Sequence, residues 1–507
     1  MPQTLTYPGV YIEEVPSGVH AITGVATSIT AFVGRALRGP VDKAITITSY
    51  ADFERVFGGL WLESNLGYAV SDFYRNGGST AVIVRVHKQK ANDTASMTLG
   101  AGNRALGLEA ASPGAWGAKL EAEIDDDVKD PSDTTLFNLT VTDTGTGRIE
   151  SFRNVSFAAG SARRVDLVLA NESTLVRQKG ALPTQPQSSF PVTATASNGN
   201  DGDPVDAALF TTGANLRANK HGLYALENAD LVNLIVIPPY TSGGDVDAQV
   251  LTDTIAYAVE RRAVVIMDAP AGWTNVDNAV TGASAASFTS SANAAVYFPR
   301  IDAPDPLRGG QITTFAPSGA IAGVIARTDA NRGIWKASAG LGASIAGVSA
   351  LAVPLTDLEI GRLNPLGVNC LRAAIGAGHV VWGARTRSGS DRLASEWKYL
   401  PVRRTALFLE ESLDRGTQWV VFEPNDEPLW AQIRLNVGAF MNTLFQQGAF
   451  AGTTPREAFF VKCDAETTTP DDVNLGIVNI LVGFAPLKPA EFVVIRLQQL
   501  AGQTGSA

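Results

Sequence analysis

The chain has 507 residues, 45% of them hydrophobic and 18% charged, with a formal charge of −10. Such a length holds about three or four cores, and the acidic balance excludes nucleic acid as a main partner, because neutralising phosphates needs a basic face. Two cysteines, Cys370 and Cys463, make no disulfide framework and no metal spacing and read as buried thiols. There is no apolar run of about 18 residues, and no basic start with a hydrophobic segment after it. The expectation is assembly in a reducing cytosol with no membrane insertion.

The opening stretch Leu5-Thr-Tyr-Pro-Gly-Val-Tyr-Ile-Glu-Glu-Val15 alternates and is punctuated by Pro8 and Pro16. After it, Ile29 to Gly34 reads as a short buried strand. Ser49 begins a capping-box pattern for a short helix that carries Phe53, Val56 and Phe57 and ends at Gly58. A second helix is predicted from about Ser64 to Tyr74, and Ala81-Val-Ile-Val-Arg-Val86 is a central-type strand. From about Lys90 to Asp203 the texture turns to Thr, Ser, Gly and Asp. The short runs Lys119 to Ile124, Leu136 to Val141 and Arg164 to Leu169 predict an antiparallel sandwich or barrel there.

Strands and helices alternate from about Val205 to Pro354. Leu231 to Ile237, Ala263 to Asp268 and Ala294 to Phe298 read as strands, with a helix carrying Leu251, Ile255, Tyr257 and Ala258 and another over Ser318 to Ala326. That order describes an α/β layer with a largely parallel sheet. Beyond Asp357, Val380 to Trp382 reads as a strand, Tyr399 to Val402 as an extended piece, and Arg403 to Arg415 and Pro428 to Phe445 as amphipathic helices. Basic residues crowd 372–404 and acidic residues crowd 410–427, which fits either solvated faces or complementary contacts between copies.

The end of the chain carries the strongest signal. Ala458-Phe-Phe-Val-Lys-Cys463 and Gly476-Ile-Val-Asn-Ile-Leu-Val-Gly483 are β-branched and aromatic, with turn chemistry between them, so they read as paired strands. The third run, Glu491 to Leu500, follows Ala485-Pro-Leu-Lys-Pro489, and its two prolines carry the chain away from that pair. A strand held at a distance needs a partner. Both ends are therefore expected to be exported to sheets of neighbouring copies.

Several motifs, in order, resemble the tail sheath proteins of contractile phage tails and related injection machines. At the front these are Tyr7 to Val15, Thr27 to Gly34 and Phe53 to Gly59. In the middle they are Pro317 to Gly323 and Arg327-Thr-Asp-Ala-Asn-Arg-Gly-Ile-Trp-Lys336. Near the end they are Gly383 to Thr386, Phe422-Glu-Pro-Asn425 with Leu429-Trp430, Phe460 to Asp464 and Pro489 to Phe492.

The resemblance implies an α+β multidomain chain. Its parts would be an exchange arm (1–22), an inner domain built from N- and C-terminal segments (23–90 and 357–488), an inserted outer β-sandwich or barrel (91–204), a non-catalytic subtilisin-like α/β domain (205–356) and a second arm (489–507). It also implies six-fold rings stacked helically around a tail tube in a virion tail, with baseplate and tail terminator proteins at the ends. Contraction would drive the tube through a target envelope. The donated strands would use Val10, Tyr11, Ile12 and Val15, and Phe492, Val493, Val494, Ile495 and Leu497. The receiving strands would use Phe459, Phe460 and Val461, and Ile477, Val478, Ile480 and Val482.

An enzymatic reading finds little to build on. His20, His87, His221 and His379 have no ligand spacing, and no GxSxG, HExxH or GxxxxGK[ST] pattern occurs, so neither catalysis nor a cofactor nor a metal is expected. Ala316-Pro-Ser-Gly-Ala-Ile-Ala-Gly-Val324 faintly echoes the serine-bearing helix of subtilisin-type proteases. His221, however, precedes Asp268, outside the required order. A degenerate hydrolase on the same α/β domain is the alternative. Asp268, Asp302 and Asp305 are expected to cap or fix loops, and Trp335, Trp382, Trp397, Trp419 and Trp430 to pack in cores.

Overall fold

The structure, a computed structural model, describes residues 20–285, 288–494 and 496. The described residues fall into two compact units, Ala26–Arg403 on one hand and, on the other, those up to Val25 together with those from Arg404 onward.

The larger unit is built on an eight-stranded sheet. Its spatial order is Gly378–Val381, Val368–Ala374, Ala294–Phe298, Val264–Asp268, Leu234–Val236, Thr30–Gly34, Ala81–Arg85, Ala44–Ile47. The six inner strands are parallel and the two edge strands antiparallel. Continuous apolar runs such as Ala31-Phe-Val and Val264-Val-Ile-Met suit strands covered on both faces, and each of these residues is buried. Helices Ala248–Glu260 and Val276–Ser284 provide the crossovers, the first burying Val250, Thr254, Ile255, Tyr257 and Ala258.

Helix Ser318–Arg332 is buried along its first nine residues and meets helix Leu66–Arg75 backbone to backbone. A Cβ at Gly319 would sit 2.1 Å from the Ala69 carbonyl oxygen, and one at Gly323 would sit 2.4 Å from that of Phe73. Only glycine permits so close an approach.

Between Ser96 and Thr195 the chain forms two antiparallel sheets. One holds Val192–Thr195, Leu120–Asp125, Leu136–Asp143 and Arg148–Ser156, the other Ser96–Leu99, Leu106–Ala110 and Val176–Gln178. They share one apolar cluster that includes Leu99, Leu108, Ile124, Leu139 and Val155. Leu120, Ala122 and Ile124 are buried while Glu121 and Glu123 are exposed, the alternation of a sheet with one wet face.

Several expectations need correction. The expected grouping of residues 23–90 with the C-terminal segment does not hold: their strands pair into the eight-stranded sheet, as do Val368–Ala374 and Gly378–Val381. A buried parallel strand looks the same whichever sheet it enters. Arg164 to Leu169 is not a strand, because Val165–Glu172 is a helix whose Val165, Val168 and Leu169 fall at helical spacing and are buried, with Asp166 in its first turn. Tyr399 to Val402 is not extended. The helix Leu400–Gly416 starts there, with Pro401 in the first turn, where a missing N–H costs nothing.

The proline-rich stretch around Asp302 and Asp305 is a hairpin, Ile301–Asp305 with Gln311–Phe315. Asp305 accepts from the Tyr68 hydroxyl and the Leu307 amide, both at 2.9 Å, and so fixes the turn. The basic crowding at 372–404 is partly internal. Arg385 is fully buried and donates to Asn364 O, Gly389 O and Asp391, while Arg387 donates to Leu366 O and Thr289 O. Their charges serve chain packing rather than a surface.

Candidate functional site

The smaller unit carries the segments singled out for exchange. Its scaffold is helix Glu427–Gln446, capped by Asp426, whose carboxylate accepts from the Leu429 amide, and started by Pro428. Leu429, Trp430, Ile433, Val437, Phe440, Met441 and Leu444 are buried along one broad face. Helix Leu400–Gly416 lies in the same region, and residues 20–25 run beside it. His20 stacks on Trp419 at 4.1 Å, Gly24 abuts Phe408, and the Val25 amide donates to Ser412 Oγ.

After a short helix, Pro455–Ala458, begun by a Thr454/Glu457 capping box, strand Phe459–Lys462 pairs antiparallel with Leu481–Phe484. Phe459 faces Phe484, Phe460 faces Gly483, Val461 faces Val482 and Lys462 faces Leu481. Phe450 packs on both Phe459 and Phe484, with ring centroids 6.2 and 5.8 Å away. The Phe460 ring lies over Gly483, where an added Cβ would stand 2.1 Å from the ring. Cys463 is buried, and its carbonyl accepts from the Arg434 guanidinium, which also holds Glu427.

Among the described residues this sheet has two strands. Among the described residues no third strand lies on either edge, so both edges keep backbone donors and acceptors without a ladder. Phe460 and Leu481 are each 53% exposed. An isolated two-stranded sheet is marginal by itself, and an open edge is a template for another strand.

The second strand is shorter than expected. Residues 477–480 are not strand, so Ile477, Val478 and Ile480 lie outside the ladder and Val482 inside it. The cause is local. Helix Pro470–Asn474 is ended by Gly476 in left-handed conformation (φ 72°), and the Ile477 amide returns to Asp472 O. Ile477 O then accepts from Asn425 Nδ2, and the Asn479 amide donates to Thr468 Oγ1. Asn425 also accepts from Trp430 Nε1 at 2.9 Å. The Phe422-Glu-Pro-Asn425 motif thus ties the scaffold helix to the approach of the second strand, a link invisible to local pattern.

Past Phe484, Pro486 and Pro489 lead to Phe492, Val493 and Val494, which are 75%, 82% and 78% exposed and belong to no strand. Three consecutive large apolar residues in water are unusual on a folded surface. Val10, Tyr11, Ile12, Val15, Ile495 and Leu497 lie outside the described residues.

The alternative site, at the α/β sheet, has a different chemistry. Asp268 ends strand Val264–Asp268 and accepts both the Ser318 amide (2.8 Å) and its hydroxyl (2.7 Å), capping the buried helix. Burial pushes its carboxyl up from the usual 3.8 to about 6, partly offset by those two bonds. The Ser318 proton is thus committed to a carboxylate. His221 has its ring 3.7 Å from Asp42. Among the described residues no group of three or more His, Cys, Asp or Glu is placed to hold a metal, and no helix is long and apolar enough to cross a membrane.

Comparison with known proteins converges on one family. Residues 218–387 match the phage tail sheath protein central domain and residues 394–499 the phage tail sheath C-terminal domain, together more than half of the chain. The tail sheath protein of Vibrio phage KVP40 is 29% identical over 182 residues, 35% of this chain and only 25% of that larger protein.

Among solved structures, the contracted PVC sheath of an extracellular contractile injection system superposes with a TM-score of 0.61 at 22% identity, covering 98% of this chain and 99% of that one. The contracted helical sheath of the anti-feeding prophage gives 0.60 at 22% identity, over 98% and 100%. A sheath tail protein from Listeria innocua gives 0.62 at 15% identity, over 92% and 97%. These likenesses share a mixed α/β multidomain architecture. With two matching domain models over more than half of its length, beside an α/β layer and an inserted β-rich segment, the chain belongs to the phage tail sheath protein family.

Proposed function

We propose that this chain is the structural subunit of a contractile sheath, polymerising as stacked six-membered rings around a tail tube within a phage tail or related injection particle. The observation that carries the proposal is a two-stranded sheet with no third strand on either edge among the described residues, together with an exposed apolar run at Phe492 to Val494. Strands added by two other copies, one from residues 10–15 and one from 491–497, would complete it to four. Phe459, Phe460, Val461 and Val482 line the receiving pair, with Ile477, Val478 and Ile480 flanking it.

Each added strand contributes about four hydrogen bonds at roughly 1 kcal/mol net, plus apolar burial. Such a tether persists while the rest of each subunit rotates, so contraction requires repacking rather than chemistry. On this reading the unit holding the eight-stranded sheet is subtilisin-like in topology, the segment 91–204 is an outward β-sandwich, and no reaction is catalysed. Asp268 capping Ser318 favours that over a hydrolase. Tube, baseplate and terminator proteins are the partners, and assembly occurs in the host cytoplasm.

Electron microscopy of the purified chain tests the proposal. Hollow tubes with six-fold cross-section support it; discrete small particles that hydrolyse ester or peptide substrates would replace it with the enzymatic reading.

A further inference from the structure

Within the larger unit, a cavity of about 160 Å³ opens between the start of the α/β layer and the inserted β-rich segment. Four guanidinium groups line it, Arg38, Arg55, Arg148 and Arg177, and among the described residues no carboxylate does. Three of the four have an acidic partner outside the lining. Arg38 meets Asp143 at 3.1 Å, Arg55 meets Asp52 at 3.0 Å and Arg148 meets Glu150 at 3.3 Å.

Those carboxylates are themselves heavily engaged. Glu150 accepts from Ser173 Oγ, Thr174 Oγ1 and the Thr174 amide, Asp143 from the Gly145 amide and Thr146 Oγ1, and Asp52 from Thr48 and Ser49. Arg177 donates to the carbonyl oxygens of Leu169, Ser173 and Val176, and it stands opposite Glu109 across the strand pair.

The wall also offers spare donors. Ser112 Oγ accepts from the Gly39 amide at 3.0 Å, which leaves its own proton for another acceptor. Arg38 Nε and the Trp116 indole N–H are buried and have no partner, a costly arrangement for groups that donate strongly. Burial holds the Arg38 pKa below the usual guanidinium value, Asp143 opposes this, and the positive charge of Arg148 reinforces it. An adjoining open cleft shares Arg38, Arg55 and Arg148 and adds Glu54.

We propose that this cavity binds a small oxyanion of the phosphate class, held by the Arg55, Arg148 and Arg177 forks and the Ser112 hydroxyl. Planar guanidinium donors suit the oxygens of such an anion. The several oxygens of such an anion can accept from more than one fork at once, which a chloride ion does less well. Because Arg38 and Arg55 come from one layer and Arg148 and Arg177 from the other, the bound anion pins the inserted segment to the α/β layer.

Calorimetric titration of the full chain with inorganic phosphate, at constant ionic strength set with chloride, tests this. The wild-type chain is expected to give a saturable signal. Arg55→Gln and Arg148→Gln, whose side chains are 56% and 30% exposed and replaceable without emptying a core, are each expected to weaken it roughly tenfold or more. Arg153→Gln, 71% exposed and away from the cavity, is expected to leave it unchanged. Absence of saturable binding by the wild-type chain overturns the proposal without any variant, and so does equal binding by all three variants.

Discussion

Truncating Phe492 to alanine isolates the energy of one linkage, because the side chain is already 75% exposed in the single chain and its loss leaves no cavity there. Full burial of such a side chain is worth roughly 1.5–3 kcal/mol, so the share still to be gained on docking is about 2 kcal/mol. At about 1.4 kcal/mol per tenfold, that weakens each linkage about 30-fold. The assay is sedimentation of polymer across a concentration series, with circular dichroism and thermal unfolding of the dispersed chain alongside. Phe492→Ala is expected to raise the concentration needed for polymer while the unfolding curve stays put. An unchanged assembly threshold would mean that Phe492 stays in water in the polymer. A lowered unfolding midpoint would mean that it packs within its own chain. Either result refutes strand donation by this segment.

Deleting residues 489–507 removes that arm, and the product should be a folded chain that forms no tubes by microscopy. Gly319→Ala places a methyl 2.1 Å from the Ala69 carbonyl oxygen. Thermal denaturation should show a loss of ~1–3 kcal/mol or more, since two helices must separate. Asp268 has a folded pKa of about 6, above its usual 3.8. The folded chain therefore holds this proton over that window while the unfolded chain releases it, and the contribution of Asp268 falls as pH rises from about 4 to about 6. By pH 7 the shift of about two units corresponds to ~3 kcal/mol of destabilisation. Asp268→Asn should flatten the dependence of the unfolding midpoint on pH across that window, and an identical slope in wild type and variant would contradict the assignment.

Legibility in the sequence followed physical range. The inner strands were readable because burial on both faces demands uninterrupted apolar residues, as in Ala294 to Phe298, and the helix at Tyr50–Phe57 because Ser49 and Asp52 form a local cap. Sheet membership was not, since whether Thr30–Gly34 lies beside Leu234–Val236 is decided about 200 residues away. The short helix Val165–Glu172 was ambiguous because Val165, Leu167 and Leu169 alternate even as Val165, Val168 and Leu169 match a helix. At the candidate site, the paired strands and the proline-led tail were visible from composition. The late start of the second strand at Leu481 was not, because it depends on Asn425 and Thr468 holding residues 477–480. The arginine-lined cavity gave no local signal at all, as its walls come from Arg38, Arg55, Arg148 and Arg177 on four separate stretches.

The most direct test of strand exchange is a high-resolution reconstruction of the assembled particle that traces which copy supplies each strand beside Phe459–Lys462 and Leu481–Phe484. The account predicts a four-stranded sheet assembled from three copies. A sheet whose edges stay open, or are filled by the ends of the same chain, would contradict it.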